Sequence, residues 1–187
     1  MILYFISLLA VFCSQAQQKP PVSFTEEYIE FRLKKDVFTV NGIYVFVNNS
    51  NGYSTEEIHY PFPAVRSGID SVHVFDMNHG KYLETESRQK EVVFRLNIQP
   101  KDTLKLNIFY RQKEVKDTAT YILTTTKNWG ESLKKAEYTF EAEANRKIRS
   151  FSYPPDKTTS RGDQQKYFWS RRDFLPDKDF IVIFEKK

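Results

Sequence analysis

Apolar and polar residues alternate with a period of two along most of this chain, the pattern of strands with one buried face. In "EYIEFRLK", Ile29, Phe31 and Leu33 share one face, while Glu30, Arg32 and Lys34 take the other. "NGIYVFVNN" sets Ile43, Val45 and Val47 against Tyr44 and Phe46, so both faces are apolar and a central strand is expected. Asn41-Gly42 reads as a bulge before that strand, and "NNSNG" as a turn after it. "TEEIHYPFP" predicts a strand stopped by Pro61 and Pro63, and "IDSVHVFDM" another that turns at "NHGK". Val92, Phe94, Leu96 and Ile98 align on one side, as do Leu104, Leu106, Ile108 and Tyr110 after "QPKD". That pair predicts a hairpin.

"TATYILTTT", "AEYTFEAEA" and "DFIVIFE" complete the set. The expected fold is all-β, an antiparallel Ig-like or jelly-roll-like sandwich of about nine or ten strands. Residues 153–166, "YPPDKTTSRGDQQK", carry turn formers and no apolar side chain after Tyr153, and predict one long surface loop. It contains Arg161-Gly162-Asp163, a tripeptide that some matrix proteins present to integrins. The same three residues are ordinary turn chemistry, and the tripeptide by itself assigns no role.

The first sixteen residues break the alternation. "MILYFISLLAVFCSQA" has no charged side chain, and its apolar run is shorter than the ~20 residues of a spanning helix. Ser14 and Ala16 supply small residues at the −3 and −1 positions of a cleavage site. The expected organisation is a signal peptide over 1–16, a linker over 17–24 and one β-sandwich domain over 25–187, secreted or periplasmic. Phe12 before Cys13 argues against a lipid anchor at that cysteine. Cleavage leaves 187 − 16 = 171 residues without cysteine, which excludes disulfides and thiol chemistry from the mature chain.

Composition adds two constraints. Sixteen Phe and eleven Tyr against six Gly suit strands and a large core without staples. The 28 basic and 24 acidic residues are interspersed, without the basic stripe that nucleic-acid binding needs. No apolar run in the mature chain approaches membrane length.

Candidate chemistry is sparse. His73, Asp76 and His79 could be metal ligands only if a turn folded His79 back, since six strand residues span ~20 Å. The pairs Glu26-Glu27, Glu56-Glu57, Glu84 with Glu86, and Asp177 with Asp179 read as solvated strand ends. No G-x-S-x-G elbow or glycine-rich phosphate loop is present. The expectation is a protein without catalytic activity, metal or cofactor, acting as a binding or structural module. The two tryptophans read first as caps on the ends of the sandwich core; the candidate binding surface is an aromatic platform of Trp129, Tyr167 and Trp169 flanked by Arg171 and Arg172, suited to a glycan or an envelope protein. The alternatives are a carbohydrate-binding or adhesive module using the Trp129 and Trp169 surface, and a hydrolase with an unrecognised carboxylate pair.

Three segments carry a resemblance: "VNGIYVFVNNSN…IHYPFPA", "YILTTTKNWGESLKKAEYTF" and "YFWSRRDFLPDKDFIVIFEK". They resemble a loose group of secreted bacterial β-proteins known only as domains of unknown function, of Bacteroidetes type. The matching positions are Tyr44, Phe46, Asn48, Phe62, Pro63, Leu123, Thr124, Trp129, Gly130, Phe174, Pro176, Asp177 and Asp179. The resemblance implies an exported or cell-envelope β-sandwich and brings no catalytic residues.

Overall fold

The alternating segments do form strands, and their pairing is what the pattern leaves open. The computed structural model describes residues 20–63, 68–143 and 146–185, so the expected leader and residues 17–19 lie outside it. The strands are β1 (Val22–Lys34), β2 (Val37–Asn48), β3 (Ser54–Pro61), β4 (Ile69–Asp76), β5 (Lys81–Tyr82), β6 (Glu86–Ser87) and β7 (Glu91–Ile98). There follow β8 (Thr103–Gln112), β9 (Thr118–Tyr121), a 3₁₀ helix (Thr124–Trp129), β10 (Leu133–Glu143) and β11 (Ile148–Phe151). The last are β12 (Lys157–Arg161), β13 (Gln164–Phe174) and β14 (Phe180–Phe184). The fold is all-β, with fourteen strands among the described residues rather than nine or ten. Nine strands match the alternating segments; of the five others, β5 and β6 have two residues each, β11 four, β12 five and β13 eleven.

One sheet of eight strands runs β12-β13-β10-β1-β2-β8-β4-β5, and two sheets of three run β11-β14-β9 and β3-β7-β6. Pairing is antiparallel except between β1 and β10. The two small sheets lie side by side over one face of the large sheet. Phe31 of β1 stacks on Phe180 of β14 at 4.5 Å, and Tyr60 of β3 meets Tyr44 of β2 edge-on at 5.9 Å. A single apolar core fills the space between the layers.

Local sequence explains which side chains enter that core. Along β2 the even positions Phe38, Val40, Tyr44 and Phe46 point in. Along β1 the inward set is Glu27, Ile29, Phe31 and Leu33, and the register slips between Phe24 and Glu26. This bulge at Thr25 reverses parity, so Phe24 and Glu27 share the inner face. Val22–Phe24 pair with β2 and belong to the domain rather than to a linker.

Four local expectations are corrected. The segments at 91–98 and 103–112 do not pair; β7 lies in a small sheet and β8 in the large one. Alternation cannot separate a hairpin from an arch between layers, because both bury the same apolar faces. The arch is pinned by buried Asn48, whose Nδ2 donates to the carbonyls of Ile98 and Gln99 at 3.0 Å. Strand β9 stops at Tyr121, and the threonine run turns into the 3₁₀ helix, capped by Asp179 Oδ1 accepting from the Leu123 and Thr124 amides at 3.1 Å. The expected loop over 153–166 contains β12, which makes Gly162-Asp163 a two-residue hairpin turn with Gly162 at φ +55°.

Asn41-Gly42 is no bulge, since β2 pairs through it on both sides. Gly42 is there for another reason. A Cβ at this position would lie 2.5 Å from Tyr44 Oη, because the Tyr44 ring lies over Gly42. Gly42→Ala is therefore expected to cost about 1–3 kcal/mol by forcing that ring aside. Gly52→Ala, with nothing within 4 Å of its Cβ, is expected to stay within about 0.5 kcal/mol. Urea denaturation of the two variants checks this, and equal midpoints would remove the role assigned to Gly42.

Candidate functional site

The edge strands of the two small sheets, β3 and β9, face each other without pairing, and a cavity of about 410 Å³ opens at this seam. Its floor is the inner face of β1, β2 and β8, including Glu27, Tyr44 and Ile108. One wall is β3, where Glu56, Ile58 and Tyr60 alternate inward. The other is Tyr121 with the 3₁₀ helix that ends at Trp129. Phe24, Phe46 and Trp129 form an aromatic side, with Trp129 at 6.0 Å and 5.3 Å from the two phenyl rings.

Hydroxyls span the seam. Tyr44 Oη lies 2.9 Å from Tyr60 Oη and 2.8 Å from Tyr121 Oη, joining the large sheet to both small ones. Three hydroxyls carry three protons and six lone pairs, so bonds among themselves leave acceptor capacity whichever oxygen donates. Burial pushes all three hydroxyls well above the ordinary tyrosine range, and they stay neutral.

Glu27 is 1% exposed, and Tyr138 of β10 donates to its Oε1. Burial raises its carboxyl from 4.5 to about 7, opposed in part by that hydrogen bond. The expectation that the glutamate and aspartate pairs are solvated fails here. Glu26 takes the Tyr28 hydroxyl at 2.6 Å near the surface, whereas Glu27 sits in the floor. β3 divides Glu56 from Glu57 in the same way: Glu57 faces out to Arg95 at 3.3 Å, and Glu56 faces the cavity. Counting back two residues from Ile29 places Glu27 on the apolar stripe, so the sequence holds a signal for it.

The proposed aromatic platform does not assemble. Trp169 is 2% exposed, packed edge-on against Phe151 and Phe180, with Nε1 donating to the Tyr153 carbonyl at 2.9 Å. Tyr167 packs on Phe140 and Phe151. Arg171 is held by Asp156 at 2.6 Å, and Arg172 is exposed on the same strand. Trp129 alone of the five reaches the cavity. Core packing outcompetes display because Trp169 falls on the inward register of β13, beside Tyr138.

The turn at 77–80 does fold His79 back, and its Nδ1 lies 2.8 Å from Asp76 Oδ2. His73 instead stacks on Phe109. Among the described residues, no three metal-binding side chains come together.

An all-β domain with a ligand-sized cavity between its layers is thus the class that fold and site define. The profile of a family described as "Domain of unknown function (DUF4424)" matches residues 96–183. No curated protein matches the chain. Among solved structures, a "putative nutrient binding protein" from Legionella pneumophila superposes with TM-score 0.72 at 15% identity, over 89% of this chain and 68% of that one. An M1 zinc metallopeptidase from Deinococcus radiodurans superposes with TM-score 0.57 at 10% identity, over 87% of this chain. This chain spans only 42% of the metallopeptidase. At these identities the likenesses show the fold alone.

The raised Glu27 carboxyl makes stability depend on pH. The folded protein holds this proton up to about pH 7, while the unfolded chain releases it near 4.5. Its stabilising contribution is therefore complete below about 4.5 and lost as pH rises through about 7. Glu27→Gln keeps an acceptor for Tyr138 and removes the titration. Wild type is expected to lose stability relative to this variant between about pH 5 and 8, by on the order of 3 kcal/mol. Melting curves of both proteins across that range check it, and parallel pH profiles would refute it.

Proposed function

We propose that this chain is a non-catalytic binding domain of an exported bacterial protein, holding a small molecule in the cavity between β3 and β9. The observation that carries this reading is the cavity itself. Its 410 Å³ falls in the range of small-ligand sites, with aromatic walls and a few inward polar groups. The name given to the Legionella structure agrees with it. Export rests on the uncharged apolar leader and its Ser-Gln-Ala end. Among the described residues, no helix is long and apolar enough to cross a membrane.

The cavity offers little to acyl or phosphoryl transfer. No Lys or Arg lines it to steady developing negative charge, and its tyrosine hydroxyls are neutral and bonded to one another. Hydrolysis by a carboxylate pair is the second reading, favoured by the raised Glu27 carboxyl.

Thermal-shift screening against amino acids, amines, sugars and organic acids is expected to give at least one ligand that raises Tm in wild type. Trp129→Ala should abolish the shift. A screen without any such ligand would count against binding. Turnover of an aryl-glycoside panel, lost in Glu27→Gln, would replace binding with hydrolysis. Mass spectrometry of the protein recovered from the envelope of its native cell is expected to place the mature N-terminus at Gln17, and an intact Met1 in that fraction would refute export by cleavage.

A further inference from the structure

The charge of the cavity is out of step with the rest of the molecule. The chain carries 28 Lys and Arg against 24 Asp and Glu, a net charge of +4. Four other clefts each include at least one Lys or Arg: Arg32, Lys35, Arg88 and Lys81 are examples. The seam cavity includes none, yet Glu27 and Glu56 face it, with Glu57 and His59 at its edge on the outer face of β3. Glu57 is already paired with Arg95. Glu56, on the cavity face of β3, has no ion pair among the described residues, and Glu27 is buried with only a tyrosine hydroxyl on its carboxyl.

Two further features match a cation. Phe24, Phe46 and Trp129 present a contiguous aromatic side, and a cation is attracted to such ring faces most strongly where water is excluded. The seam tyrosine oxygens keep lone pairs beyond those used among themselves, which can accept from the N–H of a protonated amine.

Building on the binding reading, the geometry points to a small organic cation as the ligand, an amine or quaternary ammonium with a compact apolar body. Its charge sits between Glu27 and Glu56, and its body lies against Trp129. An anion would meet uncompensated carboxyls with no Lys or Arg among the lining residues. A neutral ligand would leave Glu56 unpaired.

Proton release accompanies binding. Glu27 faces the hydroxyls of Tyr44, Tyr60, Tyr121 and Tyr138 from β2, β3, β9 and β10, with Glu56 across the cavity and His59 on the outer side of β3. The tyrosines remain neutral, and a cation beside Glu27 favours its ionised form. Affinity then rises as pH increases through about 7.

Calorimetric titration of the folded protein with choline, benzylamine, benzyl alcohol and benzoate tests this. Choline and benzylamine are expected to bind at pH 8, with benzyl alcohol and benzoate at least about tenfold weaker. Glu27→Gln should lower choline affinity about tenfold and flatten its rise between about pH 6 and 8. Glu56→Gln, at the half-exposed mouth, should lower it about threefold without disturbing the core. Benzoate or benzyl alcohol binding as tightly as benzylamine, and losing affinity in Trp129→Ala, would overturn the cation while leaving the binding reading intact. Choline affinity unchanged in both glutamate variants would also overturn it. If none of the four probes binds, the cation assignment fails, and the wider thermal-shift screen alone then decides whether the cavity binds anything.

Discussion

The hydroxyl of Tyr44 holds the layers of this protein in relation to one another. It is bonded to both small sheets, through Tyr60 on β3 and Tyr121 on β9. A buried hydroxyl left without a partner costs about 1–3 kcal/mol, so these three groups fix each other's positions rather than merely tolerate burial. The cavity opens beside them between β3 and β9, and all three rings line it. Gly42 belongs to the same device, since the ring reaches its bonded position only by lying over a residue without a side chain.

Much of this was legible in the sequence, though unevenly. Period two identified the long strands, and the doubly apolar stretch around Tyr44 identified β2 as central. It could not tell a hairpin from an arch, because β7 and β8 bury apolar faces in either arrangement. The bulge at Thr25 left no composition signal; a turn-like Asn-Gly drew attention to Gly42 instead. The site was hidden for a related reason. Glu27 sits beside Glu26, and two adjacent carboxylates look like a wet strand end unless the alternation is carried back from Ile29. Trp169 takes the core-capping role rather than the platform, because the register of β13 turns it inward.

The residues that carry the resemblance acquire physical roles. Tyr44, Phe46 and Trp129 line the cavity, Asn48 ties the arch between β7 and β8, and Asp179 caps the helix that supports Trp129. Asp177 accepts from the Tyr153 hydroxyl, whose carbonyl in turn receives the Trp169 indole. Three segments distant in sequence thus meet around one seam and its supports.

The parallel pairing of β1 with β10 also constrains the order in which the molecule can be built. Partners such as Ile29 and Tyr138 are more than a hundred residues apart, and β1 lies inside the large sheet with β2 as its only local neighbour. Until β10 emerges, one edge of β1 has no partner within the sheet, and Glu27 lacks the hydroxyl that accompanies its burial. Contacts of such long range form late and slowly, because a large loop must close before any of them is gained. A nascent or truncated chain ending before residue 133 would therefore expose a strand edge open to pairing with other chains. Completion of the sheet is coupled to synthesis of nearly the whole domain.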